Sequence, residues 1–599
     1  MKAEIYSDQI CDWLVKEGYT HCFFVAGGNI MHLLNSARTR FTCVPVVHEV
    51  TSAIAVEYFN ESNSHSKAFA LVTAGPGITN AVTGIAGAWL EGRDLLIIGG
   101  QVKSIDLKSD GIRQRGIQEI DGVGIVKEIT KFATCLVKAV NRSEFLTYIK
   151  RGSVGKPGPV FIEICLDVQG SPPFDMESQA VAFVDEEDPI NRDNFEKFLE
   201  YLNSSRRPVI LIGGGVDRSV VKKFLPFFQT LGIPIMTTWN GLDRIDSSDD
   251  LFWGRPNTWG QRSANILIQQ SDLIIAIGTR LGLQQTGFNW QKFGNESILV
   301  QIDIEASELS KGHPRVDLVF NNDSGNFLRT WENSPSRIEV HNFSAWREFG
   351  KHVTKILPNN DTKNSTTDGY INPFTFVETL SEYLNSDCVV IPCSSGGAFT
   401  TMMQAFRQKS GQVVVSNKGL ASMGYGLAGS IGAAYANPNK RIILVEGDGG
   451  FLQNMQDLGT IKIGNLPIKI FIYVNNGYAS IRMTQLNYFG GAYIGCDEST
   501  GLGMPNWFKL FESFDISVVE LDSTEILSEE NVRQLHDDSP RAFIVPIDPE
   551  QTYYPKITSR VLENGLMESN PLHLMTPELE HDVSLEVFKF LSTRGSTHE

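Results

Sequence analysis

The sequence predicts an α/β protein of three successive doubly wound parallel-sheet units followed by an irregular C-terminal tail. Three observations predict it. Short apolar runs ending in Gly, Asp or Asn recur along the chain, each followed by a stretch long enough for a helix, the pattern of parallel strands buried on both faces. Two polar segments interrupt this alternation: Gln169 to Asp188, acidic and Pro-containing, and Leu357 to Asn372, with the run Asn-Asn-Asp-Thr-Lys-Asn-Ser-Thr-Thr-Asp-Gly. At 599 residues the chain is also too long for one core and implies about three or four domains.

The first unit, residues 1–170, carries the apolar runs Phe41 to Val47, Ala68-Phe-Ala-Leu-Val and Gly158-Pro-Val-Phe-Ile-Glu-Ile. The second, 190–340, carries Pro208-Val-Ile-Leu-Ile-Gly, Asp272-Leu-Ile-Ile-Ala-Ile-Gly and Ser297-Ile-Leu-Val-Gln-Ile-Asp. The third, 370–550, carries Val389-Val-Ile-Pro-Cys, Arg441-Ile-Ile-Leu-Val-Glu-Gly and Ile468-Lys-Ile-Phe-Ile-Tyr-Val. The tail, 551–599, contains Pro555, Pro571 and Pro577 and reads as a surface wrap; the two polar segments read as exposed linkers. No short sequence repeat is evident.

Composition narrows the function. With 42% hydrophobic and 20% charged residues the balance is that of an ordinary globular protein, and a net charge of −17 argues against non-specific nucleic-acid binding. No apolar run reaches the ~18 residues of a membrane helix, and Met-Lys-Ala-Glu-Ile-Tyr-Ser-Asp at the start has no signal-peptide core. Eight cysteines without a Cys-x-x-Cys pair suggest reduced thiols and a cytoplasmic location. Cys393, near the site developed next, reads as a buried thiol.

The chemistry starts at Gly447-Asp448-Gly449 and Asn475-Asn476. Both motifs end apolar strands, Arg441 to Gly447 and Ile468 to Val474, with a helical stretch Phe451 to Gly464 between them. Asp448 and Asn475 therefore fall at the carboxyl ends of two parallel strands, where open α/β sheets bind ligands. A carboxylate, an amide oxygen and the backbone carbonyl of Gly477 form a hard-oxygen, low-charge set suited to Mg²⁺ completed by phosphate oxygens and water. Gly449 and Gly450 let backbone N–H groups approach a phosphate. The competing reading is a Gly-Asp-Gly turn beside an unrelated Asn pair.

These residues resemble the signature of thiamine diphosphate enzymes, over nearly the whole chain, and within them the acetolactate synthase branch. The resemblance implies two cofactors, thiamine diphosphate and Mg²⁺. It implies an activating carboxyl that hydrogen-bonds the cofactor's pyrimidine; Glu49, after His48 and before the helical run Thr51 to Asn60, matches it. Such a carboxyl needs poor hydration and a raised pKa, whereas the competing reading is a surface glutamate at a helix start. Gly27 and the glycine-rich loop Thr73-Ala-Gly-Pro-Gly-Ile-Thr-Asn80, with Pro76 and Asn80, belong beside it. Ser394, Ser395 and Gly396, with Gly447, Gly449, Gly450, Tyr478 and Ala479, surround the diphosphate. Met423 matches the bulky residue over which the cofactor bends, and the Ala421 carbonyl matches the acceptor of its amino group. Gly424-x-Gly426-x-x-Gly429 also fits a dinucleotide fingerprint. That reading is rejected: Ser-Ile-Gly-Ala-Ala-Tyr-Ala continues as a small-residue helix packed on a neighbour, and no acidic residue follows at the usual distance.

Gln118, in Arg113-Gln-Arg-Gly-Ile-Gln-Glu-Ile-Asp121, matches a glutamine that approaches the reacting carbon; the family more often has phenylalanine before it, and here Ile117 stands there. Gln118 otherwise reads as a surface helix residue. Ile481, Met483 and Thr484 are candidate pocket residues, and Tyr488-Phe489-Gly490-Gly491 reads as a mobile flap. In the middle unit, Gly213-Gly-Gly-Val216 and Arg280 suit FAD, or else an empty structural domain; the acidic residues that usually follow that arginine are missing. The resemblance implies a homodimer or homotetramer with Glu49 and the diphosphate site drawn from different subunits. It implies decarboxylation of a 2-keto acid, pyruvate first, and transfer of the acyl unit to a carbonyl acceptor. The absence of adjacent histidines argues against the alternative of a simple decarboxylase. The tail, Tyr554 to Arg560 and Asn570 to Pro577, resembles tails of related proteins found with bacterial surface-sugar genes, which makes a keto-sugar nucleotide the alternative acceptor. A non-catalytic paralogue is the remaining reading.

Overall fold

In the computed structural model the apolar runs become three parallel sheets. It describes residues 4–109, 111–174, 189–334, 343–393, 395–561, 565 and 567–591. The first sheet contains β1 (Tyr19–Phe24), β2 (Thr42–Pro45), β3 (Lys67–Val72), β4 (Leu95–Gln101), β5 (Phe132–Leu136) and β6 (Pro159–Cys165), in the order β2-β1-β3-β4-β6-β5. The middle sheet contains β7 (Pro208–Ile212), β8 (Ile235–Thr237), β9 (Leu273–Ile277), β10 (Ile298–Asp303) and β11 (Leu318–Asn321), in the order β11-β10-β9-β7-β8. The third contains β12 (Val389–Pro392), β13 (Val413–Val414), β14 (Ile442–Gly447), β15 (Ile468–Val474), β16 (Ser517–Glu520) and β17 (Arg541–Pro546), in the order β13-β12-β14-β15-β17-β16. The predicted fold class stands.

Strand periodicity explains why the runs are apolar throughout. Ala68, Ala70 and Val72 of β3 enter one core while Phe69 and Leu71 enter another, so both faces of the strand are covered. The same alternation divides Ile210 and Ile212 from Val209 and Leu211 in β7.

The chain forms two compact units. One comprises residues 1–185, 387–399 and 413–546 and holds the first and third sheets; the other comprises 186–386, 400–412 and 547–599 and holds the middle sheet and the tail. In the first unit the two sheets share one core, with two helices between them, Glu49–Ser62 and Tyr425–Ala436. Their contact is close. A Cβ on Gly429 would lie 2.5 Å from the Tyr58 ring, and one on Gly432 would lie 1.9 Å from the Ala55 carbonyl oxygen. The small-residue run is thus explained by helix packing.

In the second unit, two expectations need correction. The tail is not irregular throughout: it forms an antiparallel hairpin, β18 (Ser559–Val561) and β19 (Met567–Ser569), and a helix, His581–Val587. Leu572 and Val587 are fully buried on one face of the middle sheet, where apolar cover is the driving force. The segment 357–372 lacks regular structure but is tied down. Asn364 Nδ2 donates to the Tyr554 carbonyl (2.9 Å), Thr366 Oγ1 to Gln551 (2.7 Å) and the Thr367 N–H to Asp548 (2.8 Å). In the first unit, most of the linker Gln169 to Asp188 lies outside the described residues; its first residue ends the short helix Leu166–Gln169. The stretch Phe451 to Gly464 is not one helix either. A turn of α-helix, Asp448–Phe451, passes through a 3₁₀ stretch, Leu452–Asp457, into the helix Leu458–Gly464, and the break falls at Asn454 (φ −131°). Buried Asn454 donates from Nδ2 to the Gly424 carbonyl at 2.8 Å, a demand that overrides helix regularity.

Candidate active site

Glu49 is the first residue of its helix, entered from β2 through extended His48. It is 7% exposed, and Asn80 Nδ2 donates to its Oε2 at 2.9 Å. Asn80 comes from the helix Pro76–Glu91, which starts with Pro at its first position. The structure therefore brings together the predicted carboxyl and the predicted glycine-rich loop. Gly27 and Gly75 permit close approach at the same end of the sheet. A Cβ on Gly27 would meet Thr73 at 2.4 Å, and one on Gly75 would meet the Gln118 carbonyl oxygen at 2.4 Å. Gln118 thus lies against the glycine-rich loop. It is exposed and in left-handed backbone (φ 63°), not on a helix. Its neighbour Ile117 is 86% exposed, so in this chain it lines no enclosed pocket.

At the other predicted centre, Asp448 is buried and its carboxylate accepts three backbone N–H groups, leaving acceptor capacity on Oδ1. Oδ1 accepts from the Gly449 N–H (2.7 Å), and Oδ2 accepts from Asn475 and Gly477 (3.0 Å each). Burial pushes its pKa up to about 6, opposed by these N–H groups and by the charge of Arg482. Asn475 Oδ1 is buried with no protein partner, and such an atom is costly unless something else satisfies it. Asn476 is left-handed (φ 62°), and a Cβ on Gly477 (φ 120°) would lie 2.3 Å from the Cys496 carbonyl oxygen. The backbone therefore turns sharply just where the Gly477 carbonyl is presented, and that carbonyl also accepts the Ala479 N–H. The orphaned amide oxygen, the carboxylate and the peptide oxygen fit a hard divalent cation. Among the described residues no cluster of three or more His, Cys, Asp or Glu side chains is arranged to hold a metal.

The Gly449 N–H donates to Asp448, and a Cβ there would lie 2.3 Å from the Tyr478 ring. Gly450 lies over the Glu446 carboxyl, while Gly447 has open space around it. Ser395 accepts from buried Cys393 Sγ at 3.1 Å, and burial pushes that thiol up to about 12. Gly396 (φ 80°) starts the helix Gly396–Ala405 close to Ser480; Ser394 lies outside the described residues. Ala421 is left-handed (φ 54°) and Met423 half-buried, just before the Tyr425–Ala436 helix. The segment from Ala479 to Phe489 is a helix capped by left-handed Gly490, so the expected flap is its last turn. Ile481 and Thr484 are exposed and Met483 half-buried; the Thr484 hydroxyl donates to the Ser480 carbonyl.

Two residues escaped the sequence reading. Asp457 accepts from the Val47 N–H (2.9 Å) and the Thr51 hydroxyl (2.6 Å), pinning the start of the Glu49 helix to the chain below the metal motif. Buried Arg482 donates to the Asn475 and Asn476 carbonyls (2.6 and 3.0 Å). The partners of Arg482 are backbone groups, and those of Asp457 include the backbone of Val47 and a hydroxyl 406 residues away, so neither leaves a spacing signal.

In the middle sheet, the N–H groups of Gly213 and Gly215 donate to Ile277 and Gly278, and Arg244 holds the Gly214 and Val216 carbonyls. Half-buried Arg280 has its carbonyl taken by Lys311.

Two strand ends therefore form the candidate site, one with a buried carboxyl held by a single amide and one with three oxygens that suit a hard cation. Comparison with known families agrees. Residues 6–125 match the N-terminal TPP binding domain of thiamine pyrophosphate enzymes, 195–330 their central domain and 395–545 their C-terminal TPP binding domain. The chain is 29% identical over 519 residues to a probable acetolactate synthase large subunit of Methanocaldococcus jannaschii, covering 84% of this chain and 85% of that protein. It is 28% identical over 494 residues to the acetolactate synthase large subunit of Lactococcus lactis (81% and 82%) and 26% over 574 residues to chloroplastic acetolactate synthase 1 of Nicotiana tabacum (92% and 83%). The chain belongs to the thiamine pyrophosphate enzymes, in their acetolactate synthase-like branch.

Proposed function

We propose that the protein decarboxylates pyruvate and transfers the two-carbon acyl unit to a carbonyl acceptor, a second pyruvate in the simplest case. The observation that carries the reading is the buried, Asn80-held Glu49 at one strand end paired with the Asp448–Asn475–Gly477 oxygens at another. Thiamine diphosphate, when bound, supplies the nucleophilic carbon and the electron sink. Asp448, Asn475 and the Gly477 carbonyl would hold Mg²⁺, a hard cation suited to these oxygens and to phosphate. Glu49 would hydrogen-bond the pyrimidine ring, its burial keeping water from competing. Gln118, a neutral amide, orients the substrate carboxylate without donating a proton readily, which favours carbon–carbon bond formation over simple release.

The reading includes self-association, with Glu49 and the metal set of one site coming from two copies. Two exposed apolar residues, Ile117 beside Gln118 and Phe489 at the end of the Ala479–Phe489 helix (68% exposed), support it. It assigns no flavin to the middle sheet, because the N–H groups of Gly213 and Gly215 are already used within the protein. A flavin absorption band in the purified protein overturns that assignment. No helix among the described residues is long and apolar enough to cross a membrane.

The test is turnover of pyruvate by purified protein with Mg²⁺ and thiamine diphosphate, following CO₂ and identifying products by mass spectrometry, with and without added aldehydes and keto-sugar nucleotides. Acetolactate from pyruvate alone is expected. Acetaldehyde alone converts the reading to a simple decarboxylase, and no CO₂ under any condition removes it.

A further inference from the structure

The connection from β4 towards β5 is long, and among its described residues before Asp121 the one-turn 3₁₀ helix Ser104–Asp106 is the only regular element. Such connections inside compact domains are uncommon unless they serve a function. This one ends in Gln118, whose left-handed backbone puts a side chain with a Cβ where glycine is favoured. Something must hold it there, because an unfavourable conformation persists only where its surroundings over-determine it.

The root of the connection is fixed at both ends. Ser104 donates from its N–H and hydroxyl to Asp167 (2.8 and 2.5 Å), and Gln101 Nε2 donates to the Ile120 carbonyl (3.0 Å). Its middle is gathered by one side chain. Glu119, only 6% exposed, accepts at Oε2 from the N–H groups of Arg115 (2.8 Å) and Gly116 (2.9 Å), and at Oε1 from the N–H of Lys108. Gly116 in turn lies against Val102, where a Cβ would come within 2.5 Å. Burial would raise the Glu119 pKa, but the three N–H donors outweigh it and hold the carboxyl below the usual range. A carboxylate accepting several N–H groups makes the stronger class of hydrogen bond. One residue before it, the Gln118 carbonyl is pressed on Gly75 of the glycine-rich loop.

We propose that Glu119 is the positioning residue of the active site: its carboxylate folds the connection around itself and thereby fixes Gln118 against the glycine-rich loop. The proposal rests on the reading of Gln118 given above and extends it to a residue that touches neither substrate nor cofactor.

The test is a double-mutant cycle between Glu119→Gln and Gln118→Ala, read as kcat/KM for pyruvate, together with amide hydrogen exchange and thermal unfolding of the metal- and cofactor-loaded protein. Glu119→Gln keeps the shape but turns one acceptor into a donor facing N–H groups. Expected are a tenfold or greater loss of kcat/KM in the parent background, less than a further twofold in the Gln118→Ala background, and faster exchange at Lys108, Arg115 and Gly116. Cofactor affinity should stay within twofold. An equal loss in both backgrounds marks a general structural effect and overturns the proposal, as do unchanged exchange rates. Should Glu119→Gln fail to fold, Glu119→Asp, with its shorter reach, is put through the same cycle. If Gln118→Ala alone leaves turnover intact while Glu119→Gln still speeds exchange, the reading of Gln118 is what fails, and the catalytic half of the proposal with it.

Discussion

The first and third sheets follow the same strand order, yet equivalent strand ends carry different chemistry. The second strand of each sheet leads to Glu49 in one and towards Ala421 and Met423 in the other. The third leads to Gly75–Pro76 in one and Asp448 in the other; the fourth leads to the Gln118 connection in one and Asn475–Gly477 in the other. One half offers a buried carboxyl with a single amide partner. The other offers a carboxylate held by three N–H groups beside an unsatisfied amide oxygen. The difference teaches that topology fixes where a site lies, while the polar partners at each strand end decide what chemistry it suits, proton exchange at one under the proposed function and a hard cation at the other.

The sharpest way to break this division is to disable one half and watch the other. Glu49→Gln is expected to lower turnover by about 10²–10⁴-fold while calorimetric titration finds thiamine diphosphate and Mg²⁺ binding nearly unchanged; loss of binding instead would erase the distinction. Asp448→Asn should do the reverse first, weakening Mg²⁺-dependent cofactor binding by about 10–100-fold, seen in the same titration.

The shared core between the halves is probed by Gly432→Ala, whose Cβ would meet the rigid Ala55 carbonyl at 1.9 Å. A destabilisation of about 1–3 kcal/mol is expected by chemical denaturation, with the fold retained.

The smallest effect concerns pH. Burial pushes both Glu163 in the first half and Glu446 in the third up to about 8, from the ordinary 4.5. Each holds its proton in the fold where the unfolded chain gives it up. Their stabilisation is complete below pH 4.5 and drains away as pH rises towards 8, at a slope of at most about 1.4 kcal/mol per pH unit and group. Glu163→Gln should flatten the slope of stability against pH between 5 and 8; an unchanged slope would falsify the assignment.

What could be read in the sequence was whatever leaves a local period or spacing. The strands were legible because a strand covered on both faces is apolar along nearly its whole length, as in Ala68 to Val72 of β3 and Ile470 to Val474 of β15. Asp448 and Asn475 were legible because strand ends and glycines frame them. Glu119 and Arg482 were not, since each binds backbone groups and any residue supplies those, and Asp457 was not because the Val47 N–H and the Thr51 hydroxyl that it binds lie 410 and 406 residues away. The break at Asn454 was hidden for the same reason: its cause, the Gly424 carbonyl, comes from another strand connection. The tail was misread because two short strands and a seven-residue helix are too brief to show a period, and the face they cover belongs to a sheet formed much earlier in the chain.

The close meeting of the Glu49–Ser62 and Tyr425–Ala436 helices has one more consequence, for anyone surveying variants of this protein in bulk. Gly429 and Gly432 meet Tyr58 and the Ala55 carbonyl so closely that side chains larger than a methyl there strain the contact between the two helices. In a saturation screen scored only by product formed, these positions will be as intolerant as the residues proposed to hold the metal, although they touch no reactant. Scoring the same library for abundance as well as activity separates the two: the glycines lose protein, whereas Asn475 and Glu49 lose only chemistry.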